Sequence, residues 1–345
     1  MHLLDNIDAN LAAECDALGL PAYRRKQMRK WLLEKRAKDW DAMSDLPKAA
    51  REALAERTPI WRAQIARHTQ SPDGTEKLLL TLAGGGQIEC VLLRDEVRRT
   101  LCLSTQVGCG MGCVFCASGL DGVERNLSTG EILEQVLRLQ HLLTPDERLS
   151  HIVVMGMGEP LANLDALLPA LDELSRPDGL GISHRRITIS TVGLPKAIRR
   201  LANKDFHYRL AISLHAPNDE LRNQIVPTNS KIGLAEILAA ADEFFSASGR
   251  RLTFEYVLLA GLNDHPEHAH ELVRLFGRRE CLLNVIPYNP VEGLPYRTPS
   301  AAAQHAFRKI LEDAGIPVRF RHRKGDKINA ACGQLRRQTL VQLGS

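Results

Sequence analysis

The sequence predicts an α/β chain: a partial barrel of six strand–helix units, preceded by a small helical domain and a β-hairpin extension. Two observations carry the barrel. Six short apolar runs, at 101–105, 152–155, 187–191, 210–214, 252–259 and 282–286, alternate with amphipathic helical stretches, the pattern of a parallel sheet. At 345 residues the chain has room for one large barrel and an appendage. Six units stop short of the eight that close a full barrel.

The elements follow in order. Residues 1–70 are rich in Ala, Leu, Lys and Arg, with Pro21 and Pro47 as breaks, and predict the helical domain. Within it, residues 23–38 carry eight basic side chains against one acidic, with Met28, Trp31 and Leu32 at helical spacing for a buried stripe. That run reads either as a solvated face or as a grip on a polyanion. Runs at 77–82 and 87–93 flank Gly84-Gly85-Gly86 and predict a hairpin within an extension at 71–98. The barrel core takes residues 99–320, and Ser128-Thr-Gly-Glu131 is a capping box ahead of Ile132, Leu133, Val136 and Leu137. A weaker seventh strand, 318–320, leads into a tail at 321–345. Arg319, Arg321, His322, Arg323, Lys324 and Lys327 make this end basic.

Composition narrows the class. Hydrophobic residues at 44% and charged residues at 25% exclude disordered, collagen-like and fibrous chains. No apolar run approaches the roughly 18 residues of a membrane-spanning helix. The first twenty residues hold Asp5, Asp8 and Glu14 without a basic leader, so a cytoplasmic protein is expected. A net charge of +4 neither demands nor excludes a polyanionic partner.

The eight cysteines say more. Cys102, Cys109, Cys113 and Cys116 fall within fifteen positions, and in a reducing compartment such a cluster points to metal or redox chemistry. Cys109-Gly-Met-Gly-Cys113-Val-Phe-Cys116 offers three thiolates with no fourth nearby. A structural zinc site wants four ligands, and the second knuckle is missing. An iron–sulfur cubane on three cysteines keeps one iron open for a substrate. Cys15, Cys90 and Cys281 carry no motif and read as packing residues.

Polar residues gather at the C-terminal ends of the predicted strands, where barrel enzymes place their chemistry. Gly156-Met-Gly-Glu159-Pro follows the second strand, Ser190-Thr191 ends the third, Ser213-Leu214-His215 the fourth, and Asn289 follows the sixth. Singly, each has a structural explanation: Ser190 as a cap, His215 as a satisfied buried histidine, Asn289 as a turn residue. Their shared location argues for a site.

The cysteine triad after a first barrel strand resembles the radical S-adenosylmethionine (SAM) superfamily. Cys102-Leu-Ser-Thr-Gln-Val-Gly-Cys109, Arg125-Asn126-Leu127, Gly156-Met-Gly-Glu-Pro160, Ser213-Leu-His-Ala-Pro217 and Asp326-Lys-Ile-Asn-Ala-Ala-Cys332-Gly-Gln-Leu335 together resemble the RlmN/Cfr family of RNA adenosine methyltransferases, from about Tyr23 to the tail. The resemblance implies a [4Fe-4S] cluster on Cys109, Cys113 and Cys116. It implies SAM held by Gly158, Glu159, Ser190, Ser213, Leu214, His215 and Asn289. Cys332 matches the methyl-carrying cysteine, Cys102 its resolving partner, and Glu89 the proton acceptor. The implied substrate is 23S rRNA, methylated at adenosine C2, with adenosine 37 of tRNA as a second target; the Cfr branch methylates C8 instead. An electron donor such as flavodoxin or ferredoxin follows, with a monomer and no membrane as the expected state. Ser118 stands where the family commonly has Thr, and Asn329 where it often has Asp. The match of Gly158-Glu159-Pro160 and of Tyr23, Gln27 and Trp31 favours the RlmN branch.

The chemistry explains the two distant cysteines. C2 of adenine is electron-poor and cannot attack a methyl electrophile, whereas a thiolate can. Cys332 would store the methyl carbon, a radical formed from a second SAM would activate it, and Cys102 would release the product by forming a disulfide with Cys332. Taken alone, Cys102 reads as a buried strand cysteine, and Glu89, on an alternating strand, as a residue facing solvent. Cys332, flanked by glycine in a basic tail, reads as a mobile, reactive thiol. Both basic segments would grip RNA phosphates. Two other classes stay open: a radical SAM enzyme acting on a small molecule or peptide, and a non-catalytic cluster or zinc protein that binds RNA.

Overall fold

The computed structural model describes residues 2–204, 208–321, 325 and 328–335. His322, Arg323, Lys324, Asp326 and Lys327 lie outside the described residues.

The N-terminal domain packs three helices, α1 (Ile7–Ala17), α2 (Tyr23–Leu33) and α3 (Lys48–Arg57), around Leu11, Met28, Leu32 and Leu54. Helix α2 stops at Leu33, well before the basic run ends at Lys38, and Arg36 takes a positive φ of 56° beyond it. Its Trp31 is only half-buried, while Arg29 is buried. Arg29 pairs with Asp8 at 3.3 Å, with Asp178 at 3.2 Å and with Glu173, so it locks the domain to the barrel instead of facing a partner.

Residues 64–70, expected within the helical domain, form a strand. β1 (Gln64–Gln70) pairs antiparallel with β2 (Glu76–Thr81), which pairs with β3 (Gln87–Arg94), the expected hairpin. β3 then pairs antiparallel with β4 (Arg99–Cys102), the first barrel strand. A separate pair, β5 (Gln106–Gly108) and β6 (Val123–Asn126), brackets the cysteine loop.

From β4 the sheet runs parallel through β7 (His151–Val154), β8 (Ile187–Thr191), β9 (Arg209–Ser213), β10 (Leu252–Leu258), β11 (Cys281–Pro287) and β12 (Val318–Phe320). The weak seventh strand is therefore real. The first strand ends at Cys102 instead of 105 because the Ser104 and Thr105 amides leave the ladder for Gln135 Oε1 (2.9 Å) and the Met157 carbonyl (2.8 Å). Helix α4 (Thr129–Gln140) starts on the predicted box: Ser128 Oγ accepts from the Glu131 amide at 3.2 Å, and the Glu131 carboxylate accepts from the Ser128 amide at 2.9 Å. Helices α5 (Leu164–Ser175), α6 (Pro195–Ala202), α7 (Asp219–Ile225), α8 (Leu234–Ser248), α9 (Pro266–Phe276) and α10 (Ala301–Asp313) supply the remaining helical segments. Among the described residues, no helix is long and apolar enough to cross a membrane. Cys15, Cys90 and Cys281 are buried core residues.

Candidate active site at the mouth of the barrel

The loops after the strands line one open cavity. Cys109, Cys113 and Cys116 line one side of it. Their loop is shaped by local necessity: Gly108 has a φ of +77°, and a Cβ there would sit 2.0 Å from the Gly122 carbonyl oxygen. That carbonyl accepts the Cys109 amide at 2.9 Å, and Val114 donates to Ile225 at 3.1 Å. Burial raises all three thiols, Cys109 up to about 12. Three desolvated thiols stay neutral on their own, and metal coordination is what would deprotonate them. Among the described residues no group of His, Cys, Asp or Glu is arranged to hold a metal ion. A cubane attaches its cysteines to separate irons, so its ligands do not need to converge on one ion.

The opposite wall carries the strand-end residues. Gly158, at φ +101°, lies so close to Gln106 that a Cβ would meet the Gln106 side chain at 2.6 Å. Gln106 Oε1 accepts the Glu159 amide at 2.8 Å. The buried Glu159 carboxylate accepts the Leu161 amide at 3.0 Å and the Val192 amide at 2.9 Å, yet desolvation outweighs these bonds and raises its pKa. Ser190 and Ser213 face each other at 3.4 Å. His215, at φ +61°, accepts the Val257 amide on Nδ1 at 3.1 Å, which leaves Nε2 to carry the proton. Burial pushes its pKa down to about 3, so it is a neutral donor.

Asn289 joins this wall to the tail. Its Nδ2 donates to the Cys332 carbonyl at 3.1 Å, while its buried Oδ1 has no partner. An orphaned acceptor, a neutral imidazole and paired hydroxyls suit a polar ligand with both donors and acceptors, and SAM offers both. Leu214, also expected to hold SAM, does not line the cavity. Its side chain is buried in the core, and its backbone bonds Glu255 and Arg222.

Cys332 lines the cavity from the tail. The segment around it is docked, in contrast to the mobile thiol expected: the Gly333 carbonyl accepts from Ala117 at 2.8 Å, the Leu335 carbonyl from Ser118 Oγ at 2.6 Å, and Gln334 donates to Pro290 at 2.9 Å. The residue keeps solvent access, but surrounding protein raises its thiol, with Arg321 pulling it down and Glu255 pushing it up. Cys102 ends β4 behind the lining. Burial first, then the neighbouring Cys332, pushes its thiol up to about 12. Both thiols are free.

Glu89 does not face solvent; it is 2% exposed, off the cavity lining, and 2.8 Å from Lys77. Lys77 also donates to the Asn329 carbonyl at 3.0 Å, linking β2, Glu89 and the Cys332 tail.

Two side chains escaped the sequence reading. Arg222 on α7 is 1% exposed and donates to the carbonyls of Leu214 (2.9 Å), Val192 (2.5 Å) and Ser213 (3.0 Å) and to Asn229 Oδ1 (2.5 Å). Burial lowers it to about 10, with Cys113 opposing. An arginine on a helix normally reads as surface. Glu255, inside the apolar run 252–259, lines the cavity, accepts from Asn284 at 2.9 Å and is raised by desolvation. A lone acid in an apolar strand was the available signal.

The sequence pattern of the Radical SAM superfamily matches residues 103–273, and that of the Ribosomal RNA large subunit methyltransferase N-terminal domain matches residues 1–60. The chain is 63% identical over 319 residues to a probable dual-specificity RNA methyltransferase RlmN of Rhodopirellula baltica, covering 92% of this chain and 86% of that protein. It is 45% identical over 336 residues to the dual-specificity RNA methyltransferase RlmN of Nitratidesulfovibrio vulgaris, covering 94% and 91%. A crystal structure of a radical SAM methyltransferase from Sphaerobacter thermophilus superposes with a TM-score of 0.92 at 42% identity, covering 97% of this chain and 99% of that one.

Proposed function

The chain belongs to the RlmN family of radical SAM RNA methyltransferases, and we propose that it methylates C2 of an adenosine in 23S rRNA through a methyl group carried on Cys332. The dual-specificity RNA methyltransferase name of its relatives supports a second RNA substrate, for which we propose a tRNA adenosine. It would work in the cytoplasm as a monomer, with a flavodoxin or ferredoxin as electron donor.

One observation carries the reading. Cys332 and the three-cysteine loop line the same cavity, and Asn289 ties the Cys332 backbone to the wall that would hold SAM. Cys109, Cys113 and Cys116 would hold the cluster, with Glu159, Ser190, Ser213, His215 and Asn289 around SAM. When bound, these groups supply a methyl electrophile and the means to break an unactivated C–H bond.

The chain does the rest. Cys332 accepts the methyl carbon and positions it toward the base. Cys102, buried next to it, gives up its thiol proton and attacks the carrier sulfur. A sulfur–sulfur bond forms as the sulfur–carbon bond breaks, and the electron pair leaves with the base-bound carbon, which takes up a proton to become the methyl group. Glu89 takes the ring proton, with its carboxylate held 2.8 Å from the Lys77 ammonium. The adenosine leaves its stack to reach the cavity, at a cost of a few kcal/mol that is least for an unpaired base.

Nucleosides from digested 23S rRNA, modified by the anaerobically reconstituted protein, should contain 2-methyladenosine. A predominant 8-methyl product would move the reaction to the other ring carbon. Modified RNA made with Cys332 never methylated would refute the carrier.

A further inference from the structure

The parallel strands have a second end. Arg98 precedes β4, His151 opens β7, Arg186 precedes β8, Arg209 opens β9 and Arg251 precedes β10. These five strands are successive neighbours, with Thr188 of β8 opposite Arg209 and Thr253 of β10 opposite Ala211. At ~4.8 Å per strand the line is about 20 Å long. All four arginines are exposed.

The charges are felt along the line. Burial lowers His151, and Arg98, Arg186 and Arg209 lower it further; Arg250 is lowered by burial and then by Arg185 and Arg209. The nearby Glu147 is engaged by Arg94 at 2.9 Å and Arg99 at 2.5 Å, and Asp172 accepts the Tyr208 hydroxyl at 2.6 Å. Asp95 and Glu96 flank Arg98 in its turn. Among the described residues, Arg98, Arg185, Arg186, Arg209 and Arg251 form no ion pair. Crowded like charges cost stability, and exposed side chains do not repay it through packing.

We propose that this arginine rim is a second RNA-binding surface, which holds backbone phosphates of the folded substrate at the end of the barrel away from the reacting base. The proposal rests on the RNA-modifying reading above. Guanidinium groups suit phosphate because their planar fork binds two oxygens at once. An acidic redox protein is the competing occupant, but it must deliver electrons to the cysteine loop at the opposite strand ends. The seven residues of β10 alone separate the ends by about 20 Å. RNA, extended and folded, can touch both.

The test uses the anaerobically reconstituted full chain and an in-vitro transcript of the peptidyl-transferase region of 23S rRNA. The triple variant Arg98→Gln, Arg186→Gln, Arg251→Gln should lower the slope of log affinity against log salt by about 2 to 3, at ~0.7–0.9 per phosphate contact. The Arg→Lys triple should restore most of it. Methyl loading of Cys332 without RNA should stay at the wild-type level, which also reports an intact fold. Wild-type affinity and slope in the glutamine triple would overturn the rim as an RNA surface. So would slowed reduction by flavodoxin with RNA binding unchanged, which would assign the rim to the redox partner. A wild-type protein that binds neither this transcript nor tRNA would overturn the parent reading as well.

Discussion

The two ends of the barrel strands differ more than any two domains of the molecule. β8 begins next to exposed Arg186 and ends at buried Thr191; β10 begins after exposed Arg251 and carries Glu255 into the cavity. At the mouth, desolvation dominates: it raises Glu159, Glu255 and Cys102 and lowers His215. At the rim, water remains and charges act on one another through it. Two unit charges 4 Å apart interact by about 1 kcal/mol in water but about 4 kcal/mol at an effective dielectric of 20. The mouth should therefore respond to single atoms and to pH, and the rim to salt.

The strongest test of that contrast removes one sulfur. Cys332→Ala should abolish RNA methylation while leaving iron content and salt-dependent RNA binding at wild-type levels, because the proposed scheme makes Cys332 a methyl carrier and neither a cluster ligand nor a phosphate contact. Cys102→Ala should instead accumulate a covalent protein–RNA adduct, visible as a shifted band on a denaturing gel. Turnover at the normal rate in either variant would sink the two-cysteine scheme.

Next in size is a pair of arginine substitutions. Arg222→Leu strips donors from three carbonyls and from Asn229 beneath the mouth, and should cost about 3–5 kcal/mol in denaturant unfolding of the anaerobic protein. Arg186→Leu at the rim should change stability by no more than about 0.5 kcal/mol. Equal losses would erase the distinction between a buried anchor and a solvated charge.

Sequence reading succeeded where a residue's chemistry is tied to local spacing. The apolar runs located six strands because parallel strands are buried on both faces, and Ser128 with Glu131 announced α4 because a capping box is local. The three-cysteine loop and the strand-end residues other than Leu214 meet at one cavity for the same reason. What failed depends on distant partners. Residues 64–70 are exposed along most of β1 and have no strand signature of their own; they are strand because β2 offers them a ladder. Glu89 is buried because Lys77, a strand away, supplies its counter-charge. Arg222 is buried because the ends of β8 and β9 turn the Val192, Ser213 and Leu214 carbonyls toward it and Asn229 adds a side-chain oxygen. The tail docks through bonds to Ala117, Ser118 and Pro290, which no spacing around Cys332 foretells.

A gentler perturbation reads the field at the mouth. Cys332 is raised by burial, so its thiolate fraction, and its alkylation rate by iodoacetamide followed on the Cys332 peptide, should climb with pH beyond the ordinary thiol range. Arg321 favours the thiolate and Glu255 opposes it. Arg321→Gln should therefore move the midpoint to higher pH and Glu255→Gln to lower pH. Shifts of the same sign would mean that packing, and not charge, sets the thiol.

The smallest effect belongs to helix α2, the segment that looked most basic in the sequence. Of its five basic residues, Arg29 is consumed inside the protein. Arg24 donates to Gln27 at 2.8 Å and to the Asp45 carbonyl, and Lys30 lies 3.9 Å from Glu34. Arg25 and Lys26 are left with the least local company. Neutralising Arg24, Arg25 and Lys26 together should flatten the salt slope of RNA binding by about 1 to 2, less than the rim triple, since fewer of the charges are uncommitted. A larger effect here than at the rim would reverse the comparison and make the N-terminal domain the principal phosphate grip. An affinity indifferent to the substitutions would leave α2 a solvated face.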